Sequence, residues 1–483
     1  MSEALEKARE WEKMHCRTAV EKPFFHVCAP TGWINDPNGF SQYKGEYHLF
    51  YQYHPYNKHW GPMHWGHSKT DDFIKWLQMP CAMAPDEAFD GQGCFSGSAV
   101  EFQGKHVLMY TGVTQKEKDG KIVINQNQCI AFGDGKDYIK YPYNPVITAQ
   151  QMPQGSSKED FRDPKIWKDN DKFYTIIGSR GEDGSGQLGL FESEDIVNWK
   201  FVTILERCEN RYGKMWECPD FFEIGDTAVI IVSPQEMQAE GLEFHNGGGT
   251  LALVGNYNKK EHLFQRKKVT AVDYGLDFYA PQTLKSEDGR RIMIGWMQNW
   301  DTYLVPENMT WSGIMTIPRQ LEIRDGSLYQ NPVRELENYY SNEVKIGKVR
   351  LEGERSFEGI NGRSIDLTVE IYEDGKSEFS IRFASNEYFY SEIIYSPEKE
   401  ILTFDRTYSG LVKDVISRRS MKVKKREGRI KVRLLLDRYT VEIFVNDGEQ
   451  AMSSLIYTSL DAEKIMFYGD GSVISILKYD VVL

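Results

Sequence analysis

The sequence predicts an all-β chain: a five-bladed β-propeller followed by a C-terminal β-sandwich, with a short N-terminal helix. Three observations predict it. Strand-length apolar and aromatic runs such as YKGEYHLFYQY, KHVLMYTG, DKFYTIIGS, DTAVIIVSP and RRIMIGWM alternate with Gly, Asn, Asp and Pro turns. A Pro-centred motif recurs along the first two thirds of the chain. Near residue 335 the motif stops, and hairpin-rich sequence of a different texture begins.

Taken in order, the first stretch, MSEALEKAREWEKMHC, is charged and helix-forming, so residues 1–22 are expected as a helical segment. It lacks the apolar centre of a secretion signal. Residues 23–335 are expected as the propeller. Four segments share two residues, Pro, two residues and then an apolar or aromatic one: Asn35 to Phe40, Arg162 to Trp167, Glu217 to Phe222 and Tyr279 to Leu284. Pro164 and Pro219 stand 55 positions apart, and Pro219 and Pro281 stand 62 apart. The gap from Pro37 to Pro164 is about two such steps, and Phe95 to Val100 fills it with Gly97 in the Pro position. Five β units of this kind suit blades around a central channel. Pro is tolerated on an edge strand, which the strand nearest the axis is. Residues 345–483, with Ser364 to Ile371 and RIKVRLLLDRYTVEIFVNDGE, are expected as the sandwich.

Composition excludes several classes. The 483 residues carry a net charge of −13 and no basic stripe, against a nucleic-acid partner. No run is apolar enough to span a membrane. Seven scattered Cys without paired spacing point to a reducing compartment, and with the missing signal centre to the cytoplasm. Five of ten His cluster at His48, His54, His59, His64 and His67, but no carboxylate or Cys stands beside them at a familiar zinc spacing. They are expected as polar filler, with no metal and no cofactor.

The repeat gives the acids a shared place. Asp36 alone, within GWINDPNG, is a good turn former. The repeat sets it level with Asp163 and the pair Glu217-Cys218, so three carboxylates from separate blades converge on the channel. Converging like charges oppose folding unless they serve chemistry. Glycoside hydrolysis needs one ionised and one protonated carboxyl flanking the scissile bond. Trp33, Trp60, Trp65, Phe95 and Trp296 are candidate stacking faces for a sugar, with core burial the competing reading for each Trp. Asn35, Gln52, Ser96 and Arg162 are candidate hydrogen-bonding partners for its hydroxyls.

These motifs resemble a known family. GWINDPNG, FRDPK and MWECPD are similar to the three acidic signatures of glycoside hydrolase family 32, the invertases and fructan hydrolases. FYQY, WGPMHWGH, GCFSGSAV, DFYAPQT, IGWM and IPRQLE follow in that family's order. The resemblance implies a propeller plus sandwich. It also implies that Asp36 is the nucleophile, Glu217 the acid/base and Asp163 a transition-state stabiliser, in retaining hydrolysis of terminal β-fructofuranosyl units from sucrose or sucrose 6-phosphate. An exo-acting fructan hydrolase and a non-catalytic sugar-binding protein are the alternatives. Tyr53-His54-Pro55 departs from the Tyr-Asn-Pro the family leads one to expect. For a phosphorylated substrate, Arg211 and Lys214, just before MWECPD, are the candidate cations. The partner implied is a small sugar; oligomeric state is not legible.

Overall fold

The computed structural model describes residues 1–16, 22–118, 120–302, 304–411 and 415–483. An α-helix, Glu3–His15, opens the chain. Ser2 caps it by accepting from the Leu5 N–H, and Glu3 and Glu6 sit in its positive first turn. The remainder of the expected 1–22 segment includes residues 17–21, which lie outside the described residues.

Five four-stranded antiparallel blades follow. Their first strands are Gly32–Tyr43, Gly93–Phe102, Phe161–Asp169, Met215–Ile224 and Tyr279–Lys285. These five strands touch one another in a ring and surround the axis. In the first four blades the inner strand turns outward through a two-residue hairpin, Lys44-Gly45, Gln103-Gly104, Asn170-Asp171 and Gly225-Asp226 in turn. The ring is closed by backbone pairing. Trp311–Ser312, from the long connection within the fifth blade, runs parallel to Gly32 and Trp33 at the head of the first. Met315 N–H donates to the Val27 carbonyl at 2.8 Å beside it.

Every inner strand carries a register irregularity at the repeated motif. The breaks fall between Ile34 and Pro37, Phe95 and Gly97, Arg162 and Lys165, Glu217 and Asp220, and Tyr279 and Gln282. Proline cannot donate to the ladder, so the bulge is where Pro fits. The repeat is therefore a repeated bulge.

The C-terminal unit is built on one long strand pair, Tyr340–Arg355 with Lys464–Val481. The far edge of Lys464–Val481 is shared. Its first part pairs with Phe379–Ser385 and its last part with Ile365–Glu373. The hydrogen-bonded network thus bends into two layers. Leu367, Val369 and Ile443 of one layer and Ile381, Phe383 and Phe404 of the other share a single buried apolar core, as a sandwich requires.

The propeller and sandwich meet through buried charge. Arg319 donates to Glu442 and, at 3.0 Å, to Asp273 Oδ2. Arg406 pairs with Asp277 at 2.5 Å. Gly275 leaves no room for a side chain, since a Cβ there would lie 2.1 Å from the Ser453 carbonyl oxygen. His26, ahead of the first blade, joins Asp437 Oδ2 at 2.8 Å and Glu442 Oε1 at 2.9 Å. Burial alone would lower this imidazole, but the two carboxylates win and raise it to about 9. A folded-state value above the ordinary 6.5 stabilises the fold fully below pH 6.5 and loses that contribution as pH rises through about 9. His26→Gln is expected to flatten the decline of Tm across that window. Parallel decline in variant and wild type would disprove the assignment.

Candidate active site

In a regular strand, successive side chains point to opposite faces. The bulges break that rule at the axis. They turn two consecutive residues of three inner strands, and one residue of each of the other two, toward one cavity of about 400 Å³, a volume suited to a small ligand. Asn35 and Asp36, Phe95 and Ser96, and Arg162 and Asp163 all line it, with Glu217 and Tyr279. Asp163, Cys218 and Ala280, each directly before the motif Pro, are held at φ +65°, +46° and +51°. Non-glycine residues rarely accept this left-handed region, and such strain gathers at functional sites. The sequence sets Asp36, Asp163 and the Glu217-Cys218 pair level. The structure resolves that pair: Cys218 takes the place of Asp36 and Asp163, while Glu217 takes that of Asn35, Arg162 and Tyr279.

The three carboxyls are held differently. Asp36 Oδ2 accepts from Ser96 Oγ at 2.7 Å and from the Cys218 thiol at 3.4 Å. Its Oδ1 is buried and has no hydrogen-bond partner among the described residues. Asp163 Oδ2 accepts from the Cys218 N–H at 3.0 Å, and the Cys218 thiol lies 3.7 Å from it. Glu217 Oε1 receives two N–H groups of Arg162, at 3.0 and 2.9 Å, and Oε2 receives the Tyr279 hydroxyl at 2.7 Å. Arg162 is itself braced by Gln126 and Asp160. Gln52 donates to the Cys94 carbonyl at 3.0 Å and shows its remaining edge to the cavity.

Burial raises the Asp36 carboxyl, against the hydrogen bond from Ser96 and with the Glu217 charge adding to it. Burial also lifts Asp163 to about 7; Arg162 opposes the shift, and the Glu217 and Asp36 charges reinforce it. The folded state therefore holds a proton that the unfolded chain releases near 3.8. Stability falls as pH rises from there to about 7, and the cost is complete above that. Asp163→Asn is expected to raise Tm above pH 7, with the gain vanishing toward pH 4, while activity falls. A gain of equal size at both ends would show that ionisation is not the cause.

Several expected contacts are corrected. Trp33 and Trp296 do not line the cavity: both are fully buried behind its wall, edge to face at 5.8 Å. Trp33 Nε1 donates to Asn35 Oδ1 at 2.8 Å, so it orients a wall residue. Trp65 is likewise buried and donates to the Phe95 carbonyl. Trp60 and Phe95 do reach the cavity. Arg211 and Lys214 do not. Each is exposed and paired with an acid, Arg211 with Glu240 at 3.4 Å and Lys214 with Glu236 at 3.1 Å. Two of the clustered histidines bond each other in the core: His48 Nδ1 and His67 Nε2 share a proton at 2.9 Å, and burial pushes both rings down, His48 to about 4.

The cavity also contains residues that the sequence reading did not single out: Tyr279, Gln235, Glu236, Gly248, Trp300 and Asp301. Tyr279 was findable, because the repeat sets it level with Glu217. The others lie outside the repeat, Gln235 at the end of strand Thr227–Gln235 and the rest in connections.

A propeller whose axial cavity gathers Asp36, Asp163 and Glu217 among hydrogen-bonding and aromatic groups has the make-up of a glycoside hydrolase. Comparison with known proteins makes the assignment specific. The profile for the glycosyl hydrolases family 32 N-terminal domain matches residues 26–332, and that for the family 32 C terminal matches residues 335–482. The chain belongs to glycosyl hydrolases family 32. A sucrose-6-phosphate hydrolase of Escherichia coli is 33% identical over 454 residues, 93% of this chain and 92% of that protein. A raffinose invertase of the same species is 35% identical, over 92% and 91%. Among solved structures, a Bombyx mori β-fructofuranosidase of the family superposes with a TM-score of 0.86 at 31% identity, covering 99% of this chain and 97% of its own. A mutant of that enzyme was solved in complex with sucrose.

Proposed function

We propose that this chain is a retaining β-fructofuranosidase that releases the terminal fructosyl unit of sucrose or sucrose 6-phosphate. The observation that carries the mechanism is the asymmetry of Asp36. One carboxylate oxygen is fixed by Ser96 and Cys218, and the other makes no strong hydrogen bond that attack would have to break. Asp36 displaces the leaving sugar at the anomeric carbon while Glu217 passes a proton to the departing oxygen. Glu217 then activates water to cleave the fructosyl ester, returning the original configuration. Arg162 and Tyr279 hold the two Glu217 oxygens in place for both steps. Asp163 accepts from sugar hydroxyls, in bonds that strengthen as the oxocarbenium ion forms. No cofactor enters this scheme. On this reading the catalytic unit is the propeller, residues 23–335, and the sandwich, residues 345–483, supports it through the charged seam.

The sugar relatives support both sucrose and its 6-phosphate as substrates. The cavity lining favours the uncharged one. It holds Glu236 and Asp301 besides the three catalytic carboxyls, and its one cation among the described residues is Arg162, already engaged by Glu217. The free thiols Cys28, Cys81, Cys94, Cys129, Cys208 and Cys218 suit a reducing compartment, so we place the enzyme in the cytoplasm. The test is kcat/KM on sucrose, sucrose 6-phosphate and a short inulin. Release of fructose from sucrose, with kcat/KM at least equal to that on the phosphorylated sugar, is the expected result. No turnover of either sucrose would overturn the assignment.

A further inference from the structure

The connection between strands Glu46–His54 and His64–Thr70 forms one lip of the cavity and carries Trp60 to its mouth. Trp60 is 49% exposed and meets Phe95 edge to face, with ring centroids 6.0 Å apart. An indole so exposed has little packing of its own to fix it, so its position is set by the loop beneath.

That loop is clasped by His54. The His59 carbonyl lies 2.9 Å from His54 Nδ1. A carbonyl only accepts, so Nδ1 carries the proton. On the other side of Trp60, Gly61 rests on the same ring. A Cβ on Gly61 would fall 2.4 Å from Nδ1 and Cε1. The residues flanking Trp60 are thus both held by one imidazole. Tyr56, in the same loop, packs edge-on against His54 at 6.0 Å and against Trp11 of the N-terminal helix at 5.5 Å. Lys58 anchors the same loop by donating to the Pro306 and Glu307 carbonyls, each at 3.2 Å. His54 itself is not part of the cavity wall.

We propose that His54 is a positioning residue that holds Trp60 against the bound sugar, with Tyr56 transmitting the support of the N-terminal helix. This rests on the axial cavity being the sugar site described above. His54→Ala and Trp60→Ala are each expected to lower kcat/KM on sucrose by about threefold to tenfold, the scale of one lost aromatic contact, mainly through KM. The double variant should be no worse than Trp60→Ala alone, because both act on one contact. His54→Asn, whose amide can still donate to the His59 carbonyl, should restore most of the loss. A merely structural role would lower Tm and multiply the two losses. Additive losses, or an unchanged KM in His54→Ala, would overturn the proposal. Where His54→Ala fails to fold, Gly61→Ala displaces the ring with His54 intact and must raise KM similarly; an unchanged KM there would overturn it equally. Calorimetric titration with fructose reads binding in the same variants without turnover, so a wrong reaction and a wrong clasp are distinguished.

Discussion

Asp36→Asn is expected to reduce kcat on sucrose by about a thousandfold or more while leaving a folded protein. The chemistry is lost because an amide oxygen is a poor nucleophile and no covalent intermediate forms. The fold survives because the interactions that hold Asp36 are ones an amide oxygen also accepts: the Ser96 hydroxyl at 2.7 Å and the Cys218 thiol at 3.4 Å. Removing a buried charge also relieves the burial that raises this carboxyl. Tm at or above the wild-type value, together with a collapsed kcat, is the expected pair of measurements. A kcat near wild type would remove Asp36 from the reaction.

Glu217→Ala is expected to lose about a hundredfold to ten-thousandfold on sucrose, the usual worth of a positioned acid/base. The deletion leaves Arg162 with Asp160 and Gln126, and Tyr279 with the Ser233 carbonyl at 3.0 Å, so neither partner is stranded. The nucleophile remains, and an activated fructoside that needs no proton on its leaving group should still load the enzyme. Azide, which attacks the ester without a general base, should then restore turnover and give a fructosyl azide of retained configuration. An inverted azide product would exclude the double displacement. Full activity on sucrose without azide would exclude Glu217 as the acid.

The two variants test residues legible in the sequence for a local reason. A bulge at the head of an inner strand accommodates Pro and its turn-forming neighbours, so a tertiary feature left a repeated local signature. The blade count and the convergence of Asp36, Asp163 and Glu217 follow from that signature. The two-layered C-terminal unit follows from alternation and hairpin turns in the same way.

What the sequence left undecided depends on burial and on chain segments distant in sequence. Trp33, Trp60, Trp65 and Trp296 are alike in composition and neighbourhood, yet only Trp60 faces the cavity. Which indole is wall and which is support depends on the blade packed behind it. Arg211 and Lys214 lie close to Glu217 along the chain but stay outside the cavity, Arg211 exposed on Glu240 and Lys214 exposed on the rim residue Glu236. The rim residues Glu236, Gly248, Trp300 and Asp301 belong to irregular connections, which carry no period to read. The charged seam joins His26 to Asp437 and Arg319 to Glu442 across more than a hundred positions. By itself, then, the sequence determined the β architecture, the five units and the convergence of three carboxyls on the axis, because strand alternation and bulge chemistry are local. The tertiary structure alone decided which aromatic side chains line the cavity, where the cations point and how the two units lock together. Each of those is settled by which groups lose water against which, and only the closed ring of blades brings those groups into contact.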